Sequence, residues 1–130
     1  VIYNKLDNFS EGLPYLKKAI GLRWEYTDAR NNLSDSYAGL GELEEAIREL
    51  KICLINKPDC PNLANNMGAI LNDGRNYTQA TVWFQRSTKL KVGFADAHMN
   101  LANTFREQGY YDKAAINYDI IRWEKNFNRN

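Results

Sequence analysis

The chain has 130 residues, 25% of them charged and 44% hydrophobic, with a formal net charge of +1. So small a net charge gives no field that would steer the whole molecule to nucleic acid, and we expect no nucleic-acid partner. No stretch approaches the roughly 18 apolar residues of a membrane-spanning helix, so the sequence also predicts no membrane insertion.

Self-similarity with a period of 34 residues organises the chain. Alanine recurs at Ala46, Ala80 and Ala114, and Gly12 stands one period earlier. A period near 34 residues with alternating small and large columns is typical of stacked helix pairs. The chain is therefore predicted to be an all-α, right-handed α-solenoid of antiparallel helix pairs, one array over 1–130 with units 1–26 (partial), 27–60, 61–94 and 95–128. Three further columns are large and apolar: Tyr37, Leu71 and Phe105; Leu43, Tyr77 and Tyr111; Leu50, Phe84 and Tyr118.

The first unit is incomplete. Residues 1–26 read as the end of a first helix, a turn near residues 6–9 and a whole second helix that begins near Ser10. Pro14 falls a few residues inside that helix and is predicted to kink its first turn. The chain opens without Met, and no polar capping helix follows Ile121 and Trp123. We therefore expect a fragment of a longer array, with further repeats or domains in the parent chain.

The second unit shows the helix pair most clearly. Ala29, Leu33, Tyr37 and Leu40 form one apolar stripe at helical spacing. A second stripe covers residues 43–54, and the next helix is expected to begin at the proline in position 61. Turns are predicted near residues 39–42, 73–76 and 107–110. The second helices are predicted to begin near the column Glu44, Thr78 and Asp112, whose Thr and Asp members are good N-caps.

Small side chains mark the contact between the two helices of each pair. Ser34, Gly68 and Ala102 share one column on the first helices. They face the alanine column of the second helices, so each pair is predicted to approach closely at this point, with aromatic side chains filling the space on either side.

These columns resemble the tetratricopeptide repeat, a 34-residue helix–turn–helix unit. The resemblance covers nearly the whole chain, although Val92 and Asn126 replace the closing proline of the last two units. It implies a non-catalytic module that binds a protein or peptide. The unit 27–60 fits best, because its residues Leu33, Ser34, Tyr37, Gly41, Ala46, Leu50 and Pro58 fall in register. The segment 94–102 also looks like the repeats of nucleocytoplasmic protein O-linked N-acetylglucosamine transferases.

In this family the free face of each first helix lines a concave groove, and the groove holds an extended peptide. The side of the first helices opposite the packed stripe is almost entirely polar here. The resemblance therefore assigns the peptide site to Asp28, Asn31, Asn32, Asp35, Asn62, Asn65, Asn66, Asn72, Asp73, Asp96, Asn100, Asn103, Arg106 and Glu107.

One groove column is asparagine in three units, at Asn32, Asn66 and Asn100. An asparagine amide offers an acceptor and two donors, which match the C=O and N–H of a peptide backbone. In several cargo-binding relatives, asparagines in this column hold the ligand's backbone. The same residues can instead bridge neighbouring helices, and the sequence leaves both roles open.

The groove columns hold five acids against one base, Arg106, which is a local charge of −4. This excess predicts a basic or polar peptide as the ligand. Relatives that bind chaperone tails clamp a terminal carboxylate with Lys and Arg in these columns. Here those positions hold only asparagine and aspartate, so that clamp is absent.

Nothing in the sequence indicates catalysis. His98 is the single histidine, it has no partner at metal-ligand spacing, and we expect a helix-surface role for it in the column of Arg30 and Ala64. We therefore predict neither enzyme activity nor a metal or cofactor. Cys53 and Cys60 are expected to be reduced thiols of an intracellular, cytoplasmic protein.

Two other functions stay open beside the interaction module. The chain could be the substrate-recruiting region of a larger enzyme such as a glycosyltransferase, or an architectural segment of a large assembly. In the second case Ile121 and Trp123, near the end of the last helix, would carry the assembly contacts.

Overall fold

The computed structural model describes residues 27–127. Within these residues all regular secondary structure is α-helical. The helices are α1 (Thr27–Gly39), α2 (Leu43–Asn56), α3 (Pro61–Asp73), α4 (Tyr77–Leu90), α5 (Ala95–Gln108) and α6 (Tyr111–Phe127). The expectations for the partial unit, the turn near 6–9, Ser10 and Pro14 lie outside the described residues.

Consecutive helices pair as antiparallel hairpins, because the connections within each pair are only two or three residues long. The breaks at 40–42, 74–76 and 109–110 confirm the three predicted turns. The described residues fall into two compact units, 27–59 and 60–127. The first contains the pair α1–α2. In the second, the pairs α3–α4 and α5–α6 pack together through α4 and α5, and α3 also contacts α5.

The small columns let the paired helices touch, as the sequence predicted. Ala46, Ala80 and Ala102 are completely buried. A Cβ atom on Gly68 would lie 2.6 Å from the Phe84 ring, so α3 and α4 pack closely only because this residue has no side chain. In the first unit the Ser34 hydroxyl donates to the Ala46 carbonyl at 2.8 Å.

A hydrogen bond recurs with the repeat. The Cys53 thiol donates to the Thr27 carbonyl at 3.5 Å, and one period later the Ser87 hydroxyl donates to the Pro61 carbonyl at 2.8 Å. Each bond ties a second helix to the first residue of its partner. Both cysteines are free, and burial, with a smaller effect from Glu49, raises the pKa of Cys53 to about 11. Its thiol therefore stays protonated at neutral pH.

The start of the second helices differs slightly from the sequence prediction. These helices begin at Leu43, Tyr77 and Tyr111, so Thr78 and Asp112 lie in the first turn and the prediction that they act as N-caps is wrong. The cap of α4 is Asn76, whose side chain accepts a hydrogen bond from the Gln79 N–H at 3.4 Å. Pro61 opens α3, as predicted.

Leu40 is the one member of the first stripe that does not pack as predicted. Helix α1 ends at Gly39, and Leu40 is 38% exposed in the turn that follows. The helical spacing that placed it on the packed side no longer applies beyond the helix end.

Candidate functional site

The candidate site is the polar side of the first helices, which we call the first-helix face. In the first unit it comprises the α1 residues Asp28, Asn31, Asn32 and Asp35. Asp28 and Asp35 are exposed and the two asparagines are half-buried, opposite the buried Leu33 and its neighbours. All four predicted residues of α1 therefore lie where water and a ligand can reach them.

In the second unit the face is formed by α3 and α5, which lie side by side. We call this part the α3–α5 face. Its five asparagines other than Asn62 are half-buried, while Asn62, Arg106 and the acidic residues are exposed. The predicted residues that it contains are Asn62, Asn65, Asn66, Asn72, Asp73, Asp96, Asn100, Asn103, Arg106 and Glu107.

Two hydrogen bonds join α3 to α5 within this face. The Asn100 amide donates from Nδ2 to Asn65 Oδ1 at 3.0 Å. Two helical turns further along α3, Asn72 Oδ1 accepts from the Thr104 hydroxyl at 3.1 Å. Thr104 Oγ1 also lies 2.7 Å from the backbone carbonyl of Asn100, so its single hydrogen is shared between the two acceptors. The two bridges therefore share one segment of α5. Asn100 thus does bridge neighbouring helices.

The bridge between Asn65 and Asn100 uses only half of each amide. Asn100 supplies a donor and Asn65 supplies an acceptor. Each side chain has one C=O and one NH₂ group, and within residues 27–127 the Nδ2 of Asn65 and the Oδ1 of Asn100 have no partner. A donor and an acceptor therefore remain on two side chains that are joined by the hydrogen bond between the two helices.

Asn103 and Asn72 are held differently. The Tyr118 hydroxyl of α6 donates to Asn103 Oδ1 at 2.5 Å, and Thr104 occupies Asn72 Oδ1 in the same way. Their carbonyl groups are therefore used within the fold, and the amide that each still presents is a donor. In the repeated column, Asn32 and Asn66 are also half-buried, but Asn66 has other interactions.

Two carboxylates of the first-helix face lack a cation. Although Asp35 and Asp73 are exposed to water, desolvation by the surrounding protein raises the pKa of both carboxyl groups. Neither has an ion-pair or hydrogen-bond partner among the described residues. A cationic group beside such a carboxylate would favour its charged form and compensate for the lost hydration.

The column of Arg30, Ala64 and His98 is on the packed side, so the expectation of a surface role for His98 is wrong. Arg30 is 9% exposed and forms an ion pair with Glu49 at 2.9 Å. His98 Nδ1 lies 3.0 Å from Asn117 Oδ1. Because the Asn117 amide donates to Lys113 O, its oxygen faces the histidine, and Nδ1–H is the donor. His98 therefore connects α5 to α6.

Sequence reasoning missed Thr104 and this pairing. Thr104 belongs to the column of Ser36 and Ile70, all of them fully or nearly fully buried. It lies four residues after Asn100, so the two residues are on the same side of α5. That spacing was the signal in the sequence that Thr104 could contact the same neighbouring helix. The paired side chains Arg30–Glu49 and His98–Asn117 are both 19 residues apart, and that constant spacing was also visible in the sequence.

Among residues 27–127, no group of three or more His, Cys, Asp and Glu side chains is placed to bind a metal ion. In the same part of the chain, no helix has the length and apolar composition needed to cross a membrane.

Residues 27–59 match the family model described as tetratricopeptide repeat. This chain carries a tetratricopeptide repeat. The match covers the unit that the sequence columns fitted best. Over these residues the family that the sequence resembled is confirmed.

Solved structures of MamA proteins share the fold. The structure titled "Crystal structure of MamA" superposes with a TM-score of 0.82 and 21% identity, over 92% of this chain and 70% of that one. A MamA fragment from Desulfovibrio magneticus RS-1, residues 41 to the end, gives a TM-score of 0.88 at 12% identity, over 96% of this chain and 71% of that one. No curated protein sequence matches the chain. The predicted fold class, an all-α solenoid of helix pairs, is confirmed.

Proposed function

We propose that this protein binds an extended, basic or polar peptide along the α3–α5 face and that Asn65 and Asn100 hold the peptide's backbone. The single observation that carries the proposal is the half-used amide pair on the α3–α5 face, with a spare donor on Asn65 and a spare acceptor on Asn100. Both groups are half-buried and accessible.

An extended peptide offers the matching pair of groups. In a strand the N–H and C=O of one residue point to the same side, and they bond together to a facing partner. The peptide C=O would accept from Asn65 Nδ2 while its N–H donates to Asn100 Oδ1. Because this contact uses only backbone groups, it selects an extended shape without regard to side chains.

Charge supplies the preference among sequences. Asp73, Asp96 and Glu107 border the α3–α5 face, whose only base is Arg106. The desolvated carboxylate of Asp73 gains most from a cation, since its pKa is raised by desolvation and it has no partner among the described residues. A Lys or Arg side chain on the bound peptide is therefore favoured over a neutral one.

The test compares a fluorescently labelled 12-residue peptide of alternating Lys and Ser with two N-methylated forms of it, one methylated at every Lys and the other at every Ser. Fluorescence polarisation measures binding to the wild-type chain and to the double variant Asn65→Ala/Asn100→Ala. Each lost hydrogen bond is worth roughly 0.5–1.5 kcal/mol, so we expect a weakening of about 5-fold to 150-fold.

Asn56→Ala is the matched control, because Asn56 is an exposed asparagine at the end of α2 and does not belong to a first helix. Methylation in one of the two registers should abolish binding, and methylation in the other should not. Equal binding of both methylated peptides, or full binding by the double variant, would disprove backbone recognition.

The compartment and two other functions stay predictions. A substrate-recruiting role depends on the parent chain. An architectural role depends on surfaces outside the first-helix face, and one such surface is an exposed apolar side of α6.

A further inference from the structure

The outer side of α6 carries an apolar stripe that the fold does not use. Ile116, Trp123 and Phe127 are 59%, 58% and 64% exposed, and Ile120 lies half-buried between them. Their spacing of four, three and four residues puts all of them on one side of the helix. The rings of Trp123 and Phe127 lie against each other with centroids 4.2 Å apart. We call these four residues the α6 stripe.

Stacking of a further helix pair does not explain the α6 stripe. In the same unit, α4 shows which side of a second helix faces the next pair, because Thr81 and Gln85 line an open depression together with Phe105 and Gln108 of α5. One period later those positions are Ala115 and Asp119, which are outside the stripe. The positions one period before the stripe are Val82, Arg86 and Lys89 on α4, and Gly93 shortly after the end of α4.

The corresponding side of α4 is mostly polar and exposed, as expected of a solvated surface. Within the second unit, α6 has isoleucine and tryptophan where α4 has Arg86 and Lys89. An exposed aromatic and aliphatic surface of this kind marks an interaction site more often than chance.

The surroundings of the α6 stripe indicate the charge of what it binds. Ile116, Ile120 and Trp123 line an open depression together with two acidic residues, Asp119 and Glu124, and no basic residue lines it. Asp119 has only a long, exposed contact to Arg122, 3.7 Å between nitrogen and oxygen. Such a surface pair contributes little and is easily exchanged for another.

We propose that the α6 stripe is a second docking surface, which binds an amphipathic helix of another protein with Lys or Arg beside its apolar face. Spacing of three and four residues is the pattern by which one helix packs lengthwise against another. From Ile116 to Phe127 the stripe is about 16 Å long at the usual rise per residue, so it accommodates about three turns of the partner. A second copy of this chain fits less well, because each copy would bring two carboxylates to the same contact.

The test uses an 18-residue helical peptide with Leu at helical spacing and Lys along both edges, and a matched peptide with Glu in place of each Lys. Binding to the whole chain is measured by fluorescence polarisation. We expect the Lys peptide to bind and Trp123→Ser to weaken it at least about 10-fold, because an aromatic residue at the centre of a contact carries much of its energy. Val82→Ser is the control, since Val82 is exposed to the same degree as Ile116 in the equivalent place on α4.

Charge is tested separately. Asp119→Asn should weaken the Lys peptide about twofold to fivefold and leave the Glu peptide unaffected, whereas Asp112→Asn on the same helix should change neither. The extended Lys/Ser peptide distinguishes the two surfaces, because its affinity should be the same for Trp123→Ser and for the wild type.

Three results would overturn the proposal. The first is undiminished binding of the Lys peptide to Trp123→Ser, and the second is equal binding of the Lys and Glu peptides. The third is a dimer of the wild-type chain in sedimentation analysis that Trp123→Ser abolishes, which would assign the stripe to a second copy.

Discussion

The pairs α3–α4 and α5–α6 are equivalent units of the repeat, but different side chains make the contacts between their helices. In α3–α4 the helices meet at Gly68 against Phe84, and Ser87 donates to Pro61. In α5–α6 the corresponding positions are Ala102, Tyr118 and Ile121, and Tyr118 donates to Asn103 instead. The repeat therefore keeps a small residue facing an aromatic one at the helix contact, while the polar groups and the outer surface vary between the pairs.

The largest effect is expected from filling the closest helix contact. Gly68→Ala places a methyl group 2.6 Å from the Phe84 ring, which forces the ring or the helices to move. We expect a loss of about 1–3 kcal/mol in the free energy of unfolding, measured by urea denaturation. The matched change Ala102→Ser in the other pair adds a single oxygen and should cost less. Equal losses would show that the two pairs pack alike at this point.

A smaller effect is expected from the bridge between the pairs. Thr104→Val keeps the shape of a fully buried side chain but removes its hydroxyl bonds to Asn72 and to the Asn100 carbonyl. We expect a loss of about 1 kcal/mol, because Asn72 Oδ1 is left without its donor. Thr88→Val is the control, since the Thr88 hydroxyl bonds only within its own helix at Gln85. If both variants unfold at the same urea concentration, the bridge does not stabilise the contact of α3 with α5.

The packing columns and the turns followed from the sequence because a helix pair repeats its geometry whenever small and large side chains recur at the same spacing. Polar contacts did not follow. His98 and Arg30 lie on the packed side and pair with Asn117 and Glu49 of the second helices. The periodicity of a single helix does not show which residue of the other helix faces them. The second helices begin one residue before the predicted column. In α4 the N-cap is Asn76 and not Thr78. Asn65 and Asn100 form one hydrogen bond and leave one group of each amide unused. This arrangement depends on side-chain torsion angles, which the spacing of residues in the sequence does not specify.

A third prediction concerns the exposed side of α6. Because Trp123 is 58% exposed, Trp123→Ser should change the free energy of unfolding by less than about 0.5 kcal/mol, in contrast with the buried Gly68. Thermal denaturation followed by circular dichroism measures this. A large drop in the melting temperature would mean that the α6 stripe stabilises the fold itself and is not a free surface.

The smallest effect concerns the desolvated acid of the α3–α5 face. Desolvation raises the pKa of Asp73 in the folded chain above the usual 3.8, so the charge of Asp73 disfavours folding once the pH exceeds that ordinary value. Asp73→Asn should therefore raise the melting temperature slightly at pH 7, and the gain should disappear as the pH falls below about 3.8 and the wild-type carboxyl becomes neutral. Asp96→Asn is the charge-matched comparison on α5. A gain that is the same at pH 3 and pH 7 would rule out desolvation as its cause.

Backbone recognition by Asn65 and Asn100 is tested most directly by nuclear magnetic resonance of the side-chain amides. The ¹⁵N-labelled chain is titrated with the extended Lys/Ser peptide, and the NH₂ signals are assigned with the single variants Asn65→Ala and Asn100→Ala. The proposal requires both signals to shift in a saturable way with the unmodified peptide, and to stay in place with the peptide methylated in the register that abolishes binding. Saturable binding that leaves both amide signals unmoved would contradict it.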